Sequence, residues 1–208
     1  MGTDAVNTVN YDLSVTTSAL LEGLCEPDNE AAWLGLDNRY RPILVATARR
    51  FGLSDADAHD VAQETMVRVL QGCRDGKYDR EKGRLRTWIL TIARHRIVDM
   101  HRKRDVRKEA RGVSAVMETP EESTIEACWS AEERAAILRE ALDALRTDSN
   151  LASETIEAFE LQVLHRRGPH QVAEHLQCSI NDVYLAKSRV TRKLKDMVTH
   201  IETRWNDA

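Results

Sequence analysis

Apolar residues recur at intervals of three and four along most of this chain, and no stretch alternates β-branched with polar residues as a strand would. That pattern commits the chain to amphipathic helices packed on one another. Only 9 glycines and 4 prolines punctuate 208 residues, too few for a chain of many short strands and turns. Hydrophobic residues make up 42% and charged residues 31%, enough apolar matter for compact cores. The expected fold is all-α: two small helical domains joined by a flexible linker, the second a helix-turn-helix.

No apolar run approaches the roughly 20 residues needed to span a bilayer, and the opening MGTDAVNTVNYD lacks a basic region followed by an apolar one. No membrane insertion and a cytoplasmic location are therefore expected. Cys25, Cys73, Cys128 and Cys178 are far apart and form no metal-ligand or disulfide pattern. His95 and Asp99 lie four apart with His101 nearby, but no convergent acid or nucleophile accompanies them, and His165, His170 and His175 share no helical period. No catalysis, metal or cofactor is expected.

A first helix is expected over Thr17 to Leu24, ending before Glu26-Pro27-Asp28. A second starts near Asn29 and carries Ala32, Trp33, Leu36 and Tyr40, then Ile43, Leu44, Ala48 and Phe51, with Pro42 expected to bend or interrupt it. Gly52 stops that helix, and Ser54 with Asp57 reads as a capping pair for a third, Ala56 to about Gln71. Gly72 to Gly83 is polar and reads as a loop. A helix from about Arg84 to Arg104 buries Leu85, Trp88, Ile89, Ile92, Ala93, Ile97 and Met100. Asp105 to Ser130 mixes charge blocks with Ser, Thr and Pro and reads as linker, although Thr119-Pro120 resembles a helix start. Beyond it come one helix with Ala135, Leu138, Ala141, Leu142 and Leu145, and another with Ile156, Phe159, Val163 and Leu164.

The last two helices, Gln171 to Leu176 and Asn181 to Met197, are separated only by Gln177-Cys178-Ser179 and its flank, a turn tight enough for a helix-turn-helix. Ser179 is placed to cap the second helix, with Asp182 at the reciprocal position. Val183, Ala186, Val190 and Leu194 turn inward. Asn181, Tyr184, Lys187, Ser188, Arg189, Arg192 and Lys193 are left outward, a set that contains base-edge readers and phosphate binders.

The chain carries a net charge of −4, yet Arg and Lys concentrate on two separated helices, as in a protein touching nucleic acid at two places. Arg86, Arg94, Arg96, Arg102, Lys103 and Arg104 lie beside the loop containing Tyr78, and Arg107, Lys108 and Arg111 extend the patch. Phosphate attraction beside groups that can grip an unstacked base suits single-stranded nucleic acid. Trp88 lies on the apolar stripe and fits the core better than a stacking role by position alone. Asp57, Asp60, Gln63 and Glu64 give the third helix an acidic face, which would repel phosphate and suits a basic protein partner.

Three strings together resemble the bacterial sigma factors of the extracytoplasmic-function group, which retain only conserved regions two and four. They are Asp60-Val61 with Gln63-Glu64-Thr65, Arg86-Thr87-Trp88-Ile89 with Ile92-Ala93-Arg94, and Val183-Tyr184 with Ala186-Lys187-Ser188-Arg189-Val190. The resemblance implies a transcription initiation factor, with a region two-like domain over 15–104, a linker over 105–130 and a region four-like domain over 131–203. It implies that Asp57, Asp60, Gln63 and Glu64 contact core RNA polymerase. The minus-ten promoter element would be read and melted by Tyr78, Arg84, Arg86, Trp88, Arg94, His95 and Arg96. The minus-thirty-five element would be read as duplex by Asn181, Tyr184, Lys187, Ser188, Arg189, Arg192 and Lys193. An anti-sigma protein is a further partner that the resemblance allows. Gln177 stands where such turns carry Gly, so a side chain must take the conformation the turn demands. A stand-alone helix-turn-helix regulator would account for the last two helices but leaves the acidic helix, the loop and the first basic helix without a role.

Overall fold

The computed structural model describes residues 17–24, 26, 29–109, 121–148 and 150–206. Cys25, Pro27, Asp28, Arg111 and the Thr119-Pro120 helix start lie outside the described residues, as do the side chains of Arg107 and Lys108. Every regular element among the described residues is helical: α1 (Thr17–Leu24), α2 (Glu30–Arg50), α3 (Asp55–Arg74), α4 (Leu85–Glu109), α5 (Glu122–Asp148), α6 (Ser153–Phe159), a π-helical continuation (Glu160–Leu164), α7 (Pro169–Leu176) and α8 (Ile180–Asn206). The chain is all-α and forms two compact units. One runs to Ala136 and includes the chain end from Arg204, and the other runs from Ile137 to Thr203. None of the described helices is long and apolar enough to cross a membrane.

In the first unit α2 packs on α1 and α3, and α3 on α4. Asn29 caps α2 by accepting from the Ala32 N–H at 3.0 Å. The helix then runs through Pro42, so that of the expected bend or interruption the interruption does not occur. An interior proline costs about 3 kcal/mol, but Tyr40, Ile43 and Leu44 around it are fully buried. Burial of such side chains, about 1.5–3 kcal/mol each, outweighs that cost. Gly52, at φ 73°, ends α2 as expected: its N–H bonds the Arg49 carbonyl and the Leu53 N–H returns to Ala48. Ser54 caps α3, accepting from the Asp57 N–H at 3.2 Å and donating to the Asp57 carboxylate at 2.7 Å.

The segment read as linker is helical at both ends. Asp105–Glu109 continues α4, and the first half of α5 belongs to the first compact unit. Ile125 and Trp129, four residues apart, are fully buried there, with the Trp129 ring stacked 6.2 Å from Tyr40. Glu132 pairs with Arg50, and Glu133 with Arg86.

The second unit packs Ala158, Val172, Ala173, Val183 and Ala186 into one cluster, with Leu161, Leu176, Cys178 and Ile180 against it. The stripe expected over Ile156 to Leu164 does not persist. After Phe159 the backbone switches to π geometry, closed by the His165 N–H on the Glu160 carbonyl at 2.9 Å. The wider turn rotates later side chains off the α-helical stripe, and Val163 and Leu164 are exposed. Leu138 is exposed as well, and Ile137 takes the buried position.

Candidate nucleic-acid interface

In the first unit, the end of α3, the loop after it and the start of α4 build a cleft. Gly76 (φ 64°) turns the chain back, so that the Lys77 and Tyr78 N–H groups both reach the Gly72 carbonyl at 2.8 and 3.3 Å. Tyr78 is held from both ends: its hydroxyl donates to the Gly83 carbonyl at 3.2 Å, and its ring lies 5.1 Å from that of Trp88, tilted by 32°. Partial burial raises the Tyr78 phenol above its ordinary pKa. Asp79 is held below the usual carboxylate range by Lys82, which donates to it at 2.9 Å, and it also accepts from the Glu81 N–H. Arg80 ties the loop to Ser18 at 2.7 Å. The result is a cleft of about 310 Å³ with Lys77, Tyr78, Lys82, Arg84 and Trp88 on its walls. Its size and its mix of cations and aromatic faces suit an unstacked base and its phosphate.

Trp88 is half-buried instead of lying in the core, and it lines this cleft. Gly72 makes room for it: a Cβ there would sit 2.5 Å from the indole. The sequence suggested loop for Gly72, but α3 runs on to Arg74, and the indole supplies the reason for a glycine inside that helix.

The remaining cations expected at this interface divide. Arg84 and His95 are exposed, whereas Arg94 is half-buried. Arg86 lies two residues from Trp88, about 200° away around the helix. Its guanidinium faces α5, donating to Glu133 at 2.6 Å and to the Ser130 hydroxyl at 2.8 Å. Arg96 bridges α3 and α4, reaching Glu64 at 3.3 Å and Asp99 at 2.7 Å. Both guanidiniums are thus engaged within the unit. Ser130 was missed because its segment read as linker, and Glu133 because it fell in the expected second domain, although Ile125, Cys128 and Trp129 at helical spacing announce the helix that carries them.

A groove of about 1210 Å³ runs along the packed pair α3 and α4, with Asp60, Gln63 and Glu64 on one wall and His95, Arg96 and Lys103 on the other. Asp60, Gln63 and Glu64 are exposed, and Val67 beside them is 42% exposed. Asp57 is half-buried and lies a turn earlier, in the cap with Ser54.

In the second unit α7 and α8 form the expected pair. Gln177 takes the left-handed conformation at φ 51° and ψ 40° that the turn demands, and the Cys178 N–H closes onto the Ala173 carbonyl at 3.0 Å. Ser179 and Asp182 form the capping box: the Asp182 N–H donates to the Ser179 hydroxyl oxygen and the Ser179 N–H to the Asp182 carboxylate, both at 3.1 Å. The Ser179 hydroxyl also donates to that carboxylate at 2.6 Å, and these bonds hold Asp182 below the usual carboxylate range. Val183, Ala186, Val190 and Leu194 are buried. Asn181, Tyr184, Lys187, Ser188, Arg189, Arg192 and Lys193 are all exposed. Asn181, Ser188 and Arg192 lie most directly opposite the buried stripe at about 100° per residue.

Residues 36–107 match the Sigma-70 region 2 family, a stretch from within α2 to near the end of α4. Over 80 residues the chain is 32% identical to the RNA polymerase sigma factor CnrH of Cupriavidus metallidurans, a stretch covering 38% of this chain and 40% of that protein.

Proposed function

We propose that the chain is a bacterial sigma factor of the extracytoplasmic-function type, a transcription initiation factor that binds core RNA polymerase in the bacterial cytoplasm and directs it to promoters. The observation that carries this reading is the Sigma-70 region 2 match to the stretch whose α3–α4 turn holds the Tyr78–Trp88 cleft. Asp57, Asp60, Gln63 and Glu64 present an acidic face to a basic surface of polymerase. Tyr78, Arg84, Trp88, Arg94 and His95 hold the unpaired minus-ten strand, by stacking and phosphate attraction. Arg86 and Arg96, engaged with α5 and α3, hold α4 in position for that contact. The capped start of α8 enters the major groove of the minus-thirty-five element and presents Asn181, Tyr184, Lys187, Ser188, Arg189, Arg192 and Lys193. Sequestration by an anti-sigma protein belongs to the same reading.

The test is open-complex formation by the purified chain and bacterial core polymerase on a pool of genomic upstream fragments, scored by permanganate reactivity of unpaired thymines. Melting that needs both components is the expected result. Tight sequence-specific binding by the chain alone, unaffected by polymerase, would make it a stand-alone regulator instead.

A further inference from the structure

Arg166 and Gln177 are the non-glycine residues with positive φ among the described residues, and they flank α7 at its two ends. The strain at Gln177 follows from the turn. Arg166, at φ 55°, sits in the connection after the π segment, where the Arg167 N–H returns to the Leu161 carbonyl at 3.0 Å. Glycine would take that conformation without the roughly 1–2 kcal/mol that a side chain adds. The chain instead places an arginine there, a second beside it, and a glycine only at 168. A side chain kept at a strained position points to a use for it.

The use is legible in the charge. His165, Arg166, Arg167 and His170 are all exposed. Among the described residues neither guanidinium meets a carboxylate: Glu160, the acid nearest along the chain, is taken by Arg146 at 2.7 Å. An unneutralised cationic edge in a chain of net charge −4 is sorted charge. In helix-turn-helix docking the second helix enters the major groove while the first crosses the sugar-phosphate backbone, so the approach to the first helix runs alongside phosphates.

We infer that Arg166 and Arg167 form a phosphate-gripping edge before α7, a sequence-independent contact that holds the duplex while α8 reads it. The inference rests on the proposed role of α8 as a duplex reader. These residues position DNA and carry no sequence information.

The test measures binding of the full chain to a labelled mixed-sequence duplex about three helical turns long, by fluorescence anisotropy across about 50–200 mM salt. Wild type is compared with Arg166→Gly, Arg167→Ala, the double variant and Arg189→Ala. Removing one phosphate-binding guanidinium should lower affinity by up to about eightfold at 0.1 M salt and flatten the slope of log affinity against log salt by about 0.9. Arg166→Gly should at the same time melt at a higher temperature than wild type, because it removes the backbone strain. Weaker DNA binding from a more stable protein cannot be a folding defect. Unchanged affinity and slope in the double variant, with Arg189→Ala still weakened, would overturn the edge and leave the α8 role standing. No effect from any of the variants would overturn both.

Discussion

Replacing Gly72 with alanine separates the intrinsic preference of a helix from what the tertiary structure imposes. Inside α3, Gly→Ala ordinarily stabilises by about 0.5–1 kcal/mol. Here the new Cβ would lie 2.5 Å from one carbon of the Trp88 indole and 2.6 Å from another. Ordinary carbon contacts are about 3.5–4.0 Å, so the ring must retreat by about 1 Å or more. Retreat disturbs the 5.1 Å packing on Tyr78, an interaction of about 0.5–1.5 kcal/mol. The two effects nearly cancel, so Gly72→Ala should change stability by no more than about 1 kcal/mol, most simply as a loss. The Tyr78–Trp88 cleft, however, is deformed. The assay is urea unfolding of four proteins: wild type, Gly72→Ala, Trp88→Ala and the double variant. In the Trp88→Ala background the clash is gone, and Gly72→Ala should show its full helix gain of about 0.5–1 kcal/mol. Permanganate-detected melting with polymerase should fall in the single variant. An alanine effect equal in both backgrounds would refute the contact between Gly72 and Trp88.

Gln177→Gly should stabilise the unit from Ile137 to Thr203 by about 0.5–1 kcal/mol. Relief of the left-handed conformation exceeds the added freedom of glycine in the unfolded chain. A rise of about 2–8 °C in the melting of that unit would report it, and no rise would mean that Gln177 carries no strain. Glu133→Ala should destabilise the first unit by about 1–2 kcal/mol, because it leaves the largely buried Arg86 guanidinium with only Ser130. Urea unfolding unchanged within error would show that the pair does not hold α5. Burial pushes the Tyr40 phenol up to about 12. A folded pKa raised above the ordinary 10 means that the neutral phenol's contribution is fully present below pH 10 and is lost as pH rises through about 12. Stability measured against pH should therefore fall over pH 10 to 12 by up to about 3 kcal/mol. Tyr40→Phe should lack that component, and an identical alkaline profile would refute it.

How much of this protein was legible before its structure depends on the range of the interactions involved. The helix-turn-helix was readable at its turn, because its determinants lie within a few positions: the Ser179–Asp182 box, the tight turn and the inward Val183, Ala186 and Val190, although α8 runs on to Asn206, past the expected end at Met197. Even the awkward position of Gln177 followed from local backbone sterics. The continuity of α2 through Pro42 did not follow, since the local rule allows a bend or an interruption and only the burial of the surrounding side chains decides against interruption.

The site divides in the same way. Basic residues on α4 and an acidic face on α3 are facts of spacing, and they were enough to point to DNA and to a basic partner. Which of those charges is available was decided elsewhere. Arg86 is engaged by residues 44 and 47 positions away and Arg96 by Glu64, 32 positions away, and no periodicity encodes such pairs. Trp88 read as core because it sits on the apolar stripe, yet Gly72 and Tyr78 hold it at the wall of a cleft. Sequence alone determined the all-helical fold, the helix-turn-helix pair and the two kinds of charged surface, because hydrogen bonding, capping and helical period act over one or two turns. Only the tertiary structure decided that the first half of α5 completes the first unit and that two of the expected DNA contacts are engaged within the protein, because those choices depend on which distant side chains packing brings together.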